Sequence, residues 1–139
     1  MMTDYLFVYG TLRKDIMGSQ HALLADQARF YSMGSLCGKL YDLGGYPAAV
    51  ESYDSHDQVF GEVYVLPDPE PLLAKLDEYE ECSAGFPEPH EYRRTQRVIK
   101  LGGGFVWAWV YLYQRDVSGL DAIMSGNYGS YDRQRQDFA

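Results

Sequence analysis

Four carboxylates, Asp77, Glu78, Glu80 and Glu81, stand near the end of one amphipathic stretch beginning at Leu72. At about 100° per residue, Leu72, Leu73, Leu76 and Tyr79 define the inward arc of a helix. Glu80 follows Leu76 by one helical repeat and lies inside that arc, whereas Glu78 points nearly opposite and Asp77 and Glu81 fall at or beyond its margin. One acid of the four is therefore aimed at the core. A carboxylate placed there loses water and its pKa rises, which turns glutamate into a usable base near neutral pH. The same position admits a structural reading: a frayed helix end, or an ion pair between Glu80 and Arg93 or Arg94.

A second place where chemistry could occur is Tyr9-Gly10-Thr11-Leu12-Arg13, directly after an apolar run. Glycine at a strand end permits φ > 0 and close approach of a ligand to the backbone. Successive N–H groups in such a turn can cradle a carboxylate or an oxyanion; structurally, the residues are also just a tight exit turn. A third arrangement is a cysteine nucleophile, Cys82 with His90 or His21, although the acids Glu80 and Glu81 beside it would suppress the thiolate. His21, His56 and His90 are scattered, Cys37 and Cys82 form no CxxC pair, and no GxxxxGK[ST] or GxGxxG occurs. No metal, nucleotide or other cofactor is expected.

These residues need a scaffold, and the 139-residue chain supplies one domain, 1–139, with a polar and flexible tail expected over 132–139. Twelve Lys and Arg against twenty Asp and Glu give a net charge of −8, which argues against nucleic acid as a partner. Hydrophobic residues at 46% suffice for a packed core. No apolar run approaches the ~18 residues of a membrane helix. Met1-Met2-Thr3-Asp4 has no basic n-region or small-residue cleavage site, so a cytoplasmic protein away from membranes is expected. The pattern predicts strands over 5–9, 59–66, 92–101 and 105–115, with 28–41 forming two short strands or one bent, bulged strand. Short helices are expected over 21–25 and from the Pro67–Pro71 run to about Glu81, a loop over 83–90, and a helical turn after Gly119. Phe105, Trp107, Trp109, Tyr111 and Tyr113 alternate with Val106, Ala108, Val110 and Leu112, as in a strand covered on both faces. The fold class is α+β: a curved, mainly antiparallel mixed sheet or partial barrel with two to three short helices around a cavity.

Five short motifs in order resemble the γ-glutamylcyclotransferase-like (AIG2-like) superfamily, across roughly residues 4 to 131. They are Tyr9-Gly10-Thr11-Leu12-Arg13, Leu76-Asp77-Glu78-Tyr79-Glu80, Tyr92-Arg93-Arg94, Trp109-Val110-Tyr111-Leu112-Tyr113 and Ser125-Gly126-Asn127-Tyr128. The resemblance is closest to the small γ-glutamylamine cyclotransferase and bacterial AIG2-like branch. It implies a substrate loop on Tyr9, Gly10, Thr11 and Leu12, a catalytic glutamate at Glu80 and a pocket tyrosine at Tyr92. The implied reaction is cyclisation of a γ-glutamyl amide to 5-oxoproline with release of an amine, on a small-molecule substrate. Glu81-Cys82 stand where the family has a glycine directly after the catalytic glutamate, a departure at the pocket's mouth. A non-catalytic binding or regulatory module of the same fold is the alternative, since the resembling family includes members with no established activity. Of the remaining aromatics, Tyr113 is the other candidate to reach a ligand. The oligomeric state is not readable from these residues.

Overall fold

A strand that is apolar on both faces must be covered on both sides, and the fold supplies one cover by closing the sheet and the other by laying helices over it. The computed structural model describes residues 3–10, 12–13 and 22–137. The elements run β1 (Asp4–Val8), α1 (Ala22–Ala25), β2 (Arg29–Asp42), β3 (Pro47–Glu51), β4 (Gln58–Leu66), α2 (Pro69–Tyr79), β5 (Tyr92–Leu101), β6 (Gly104–Tyr113), β7 (Asp121–Ala122) and α3 (Tyr128–Asp137). Neighbouring strands follow the order β3-β2-β4-β1-β6-β5, and β2 also meets β5 at Ser35 and Lys100. The strands β2-β4-β1-β6-β5 thus form a five-stranded partial barrel, antiparallel except at the β1–β6 pair. This is the α+β architecture expected from the residue pattern.

Because side chains alternate along a strand, β1 sends Phe7 into the barrel with Val63, Ile99, Val110 and Leu112. Leu6 and Val8 point the other way, into a second core with Leu24, Leu72 and Leu76 of the helices. β2 is one bent strand whose pairing with β4 slips between Phe30 and Ser32. At the closure, a Cβ on Gly34 would lie 2.8 Å from Ile99 Cγ2 and 3.2 Å from the Lys100 carbonyl oxygen, so β5 reaches β2 only because residue 34 has no side chain.

Several elements differ from expectation, each for a physical reason. β6 is doubly covered only in its second half: Phe105 and Trp107 are 69% and 51% exposed, since the helix-side core extends from Trp109 to Tyr113 and stops there. β3 was not foreseen, because Pro47, Ala48 and Ala49 carry no polar–apolar alternation; all three are buried. The helical turn expected after Gly119 is instead the short strand β7, paired with Tyr41 and Asp42 of β2. The polar stretch from Asp132, expected as a tail, continues α3 to Asp137. Its charged sequence lacks an apolar stripe, and the helix is held at its first turn. Tyr128 is buried, the Tyr131 hydroxyl donates to Asp42 Oδ2 at 2.6 Å, and Asn127 Oδ1 accepts from the Ser130 N–H at 3.3 Å. No helix among the described residues is long and apolar enough to cross a membrane.

The barrel closure can be tested by adding one methyl group. Gly34→Ala should lower stability in urea unfolding by about 1–3 kcal/mol through overpacking. Gly103→Ala, in the β5–β6 turn with nothing within 4 Å of the added carbon, should be close to neutral.

Candidate active site

Pro69 opens α2 at a position where its missing N–H is no loss, and Leu72, Leu73 and Leu76 bury one face of the helix. The helix ends sooner than its pattern suggests. The Cys82 N–H donates to the Asp77 carbonyl at 2.9 Å and the Glu81 N–H to the Glu78 carbonyl at 3.1 Å. This crossed pair is a Schellman ending, and it puts Glu81 in the left-handed region at φ 56°. The glycine customary in the resembling family would sit there without penalty. Glu80 is consequently the C-cap rather than the last helical residue.

From that cap Glu80 faces a cavity of about 470 Å³. Burial, and next the charge of Glu91, raise its carboxyl pKa from the usual value to about 7. Among the described residues it has no ion pair. The arginine that could have taken it, Arg94, instead bonds Asp77 through Nε at 2.8 Å and Nη2 at 3.1 Å, while Arg93 is exposed. Glu78 is also exposed and accepts from the Ser83 hydroxyl at 2.9 Å. Tyr79, expected on the inward arc, is 37% exposed and stands at the cavity's edge.

Tyr9, Gly10, Leu12, Glu80 and Tyr92 all line this cavity; Thr11 lies outside the described residues. Gly10 is not among the glycines with positive φ. Its requirement is steric: a Cβ there would come within 2.6 Å of Pro47 Cγ on β3. The Tyr9 hydroxyl donates to the Tyr111 carbonyl at 2.5 Å, and the Tyr92 hydroxyl donates to the Pro47 carbonyl at 2.7 Å. Both phenols are pushed to higher pKa, by burial first, with Glu80 among the neighbouring charges. They serve as walls whose polar ends are already satisfied. Tyr113 does not line the cavity but packs edge-on against Tyr92, with ring centroids 5.6 Å apart.

Burial, then Asp77 and Glu80, push the Cys82 thiol up to about 11, so it is protonated at neutral pH and a poor nucleophile. The His90 ring is engaged with the Phe86 carbonyl at 3.2 Å, and His21 lies outside the described residues. No group of three His, Cys, Asp or Glu among the described residues could hold a metal ion. The residue pattern missed Tyr46, Pro47, Glu91 and Tyr111 as cavity lining. Gly44-Gly45 before Tyr46-Pro47 reads as a turn, but nothing in the spacing places it beside the cavity that Glu80 lines.

A family model described as gamma-glutamyl cyclotransferase, AIG2-like, matches residues 6–130. The chain belongs to this family. A Vibrio cholerae relative is 37% identical over 130 residues, covering 91% of this chain and 96% of its own. The Escherichia coli K12 gamma-glutamylcyclotransferase family protein YtfP is 34% identical over 128 residues, covering 92% and 98%. The crystal structure of an AIG2-like protein from Mus musculus superposes with a TM-score of 0.62 at 22% identity, over 88% of this chain and 96% of that one, and so shares the fold.

The departure at residue 81 yields a stability prediction. Glu81→Gly should stabilise the protein by about 0.5–1 kcal/mol, the relief of a left-handed side chain less the added flexibility of glycine, measured by chemical denaturation.

Proposed function

We propose that this γ-glutamylcyclotransferase family member cyclises γ-glutamyl amines to 5-oxoproline and releases the amine, with Glu80 as general acid and base. The observation that carries the reading is a carboxylate without an ion pair among the described residues, facing a cavity and raised to about 7. Such a group can exchange a proton in either direction at neutral pH.

In the reaction Glu80 takes a proton from the substrate's α-ammonium. The freed amine nitrogen attacks the γ-carbonyl carbon of the same molecule and forms a tetrahedral oxyanion. The bond from that carbon to the departing nitrogen then breaks as protonated Glu80 returns its proton to that nitrogen. The surplus proton of the new ring nitrogen passes through Glu80 to the released amine, which leaves as an ammonium ion. The nucleophile belongs to the substrate, so no serine, cysteine or metal-bound water is called for. Folding the γ-glutamyl arm into attack geometry can contribute ~7–11 kcal/mol. The aromatic walls from Tyr9 and Tyr92 suit that task, and backbone N–H groups of the 10–12 loop are the candidates to receive the oxyanion. The γ-glutamyl head is held, while the amine points outward past the segment over 83–90.

Release of 5-oxoproline from γ-glutamyl amines by the purified protein tests the activity. Glu80→Gln should lower turnover ~10²–10⁴-fold while the fold persists, and Glu78→Gln should be nearly neutral. Equal effects of the two would refute the assignment of the base. Since the base must be ionised, the acid side of the wild-type profile should rise with pH and level off above about 7.

Recognition is tested by competition. α-Glutamyl isomers should neither react nor compete well with a γ-glutamyl amine. Equal inhibition by the two linkages, with no 5-oxoproline formed, would favour the non-catalytic binding module.

A further inference from the structure

Three of the five sequence motifs meet at a side-chain cluster beside the cavity. Asp77 of α2 accepts from Arg94 of β5 at 2.8 and 3.1 Å and from the Tyr111 hydroxyl of β6 at 2.7 Å. The Arg94 guanidinium also lies over the Trp109 ring, 4.5 Å from its centroid. Asp77 thus ties the helix side to side against two adjacent strands of the barrel. Its backbone has a separate task, since the Asp77 carbonyl receives the Cys82 N–H that closes the helix end. Glu80 lies inside that closed turn. Tyr111 works in both directions too: its hydroxyl binds Asp77 and its carbonyl receives the Tyr9 hydroxyl from the cavity wall.

We propose that Asp77, clamped by Arg94 and Tyr111, is the positioning residue that fixes the 77–82 turn and so holds Glu80 against the cavity, shielded from bulk water. Asp77 does not touch a reacting atom in this arrangement. Its carboxylate holds the end of α2 against the barrel, and the Glu80 side chain inherits that placement through the crossed hydrogen bonds. Loosening the clamp lets the turn rise and admits water to Glu80. The charged and titratable groups facing Glu80 are Tyr9 directly after β1, Tyr46 before β3, Glu91 directly before β5, Tyr92 at its start and Tyr111 on β6, with Tyr79, Glu81 and Cys82 on its own segment. Changing Asp77 to an amide alters the hydrogen bond of Tyr111 and removes a charge beside Cys82. It leaves Glu91 in place, and Asp77 is not among the causes that raise Glu80, so a changed titration of Glu80 would report its hydration and placement.

This inference rests on the proposed role of Glu80, but its main readout does not need turnover. The Glu80 carboxyl is titrated by ¹³C NMR in the wild type, in Asp77→Asn and in Tyr111→Phe. The wild type should titrate at about 7. In Asp77→Asn the midpoint should fall toward the ordinary glutamate value, with Tyr111→Phe shifted the same way by less because the Arg94 pair survives. The acid limb of 5-oxoproline release should move down in pH with it, and the plateau rate should fall ~10- to 100-fold through misplacement of the base, with KM less affected. Tyr111→Phe decides the matter if Asp77→Asn does not fold. Folded variants with an unchanged Glu80 midpoint would overturn the proposal, as would a wild-type midpoint near 4.5. A shifted midpoint in a protein that releases no 5-oxoproline from any γ-glutamyl compound would support the clamp and reject the cyclotransferase reading.

Discussion

The crossed hydrogen bonds that end α2 govern the cavity. They stop the helix at Tyr79, leave Glu80 as its cap and force Glu81 into a left-handed conformation. Glu80 keeps the direction of the buried leucine face and lines the cavity, and the chain leaves the helix directly after it. Three influences then oppose its ionisation: loss of water first, the neighbouring charge of Glu91 next, and the carbonyl-rich C-terminal end of the helix acting in the same direction. A group tuned in this way depends on backbone geometry, which a left-handed glutamate maintains at some cost in stability.

The barrel makes the surroundings of that acid rigid. β1 is buried on both faces, by the barrel interior and by the helix layer, and the two cores hold Tyr9 and the end of α2 in a fixed relation. The phenols of Tyr9 and Tyr92 donate hydrogen bonds to backbone carbonyls, and their raised pKa values keep them neutral. Glu80, raised to about 7, is a cavity-facing group whose charge changes near neutrality. A largely aromatic enclosure around an acid raised to about 7 suits a reaction in which the substrate supplies its own nucleophile.

Much of this was legible in the sequence because it rests on periodicity. Alternation revealed β1, β4 and the β5–β6 hairpin, and the spacing of Leu72, Leu73 and Leu76 was enough to select Glu80 from four acids, even though the helix ends at Tyr79. What escaped notice has no period to read. Pro47-Ala48-Ala49 is uniformly buried, α3 has no apolar stripe, and Phe105 and Trp107 continue an alternation beyond the layer that covers it. Gly10 was legible as a special position for a different reason from the one that applies. It is the nearness of Pro47, a residue 37 positions away, that excludes a side chain there, and no local pattern encodes such a contact. Asp77 and Glu91 were out of reach for the same reason, since their importance lies in what the barrel brings beside them.

Arg13 shows what this long-range construction asks of the chain in time. Its side chain is buried, and Nη1 donates to the Asn127 side-chain carbonyl at 3.1 Å and to the Phe60 carbonyl at 3.4 Å. The same Asn127 oxygen caps α3. The loop beside the cavity is therefore fastened to a residue 114 positions later, and both sides of that fastening need each other. A ribosome has made nearly all of the described chain before this acceptor exists, and closing so large a loop is among the slower events available to a folding domain. The wall of the cavity, though written near the beginning of the sequence, is fully secured only when the last helix docks.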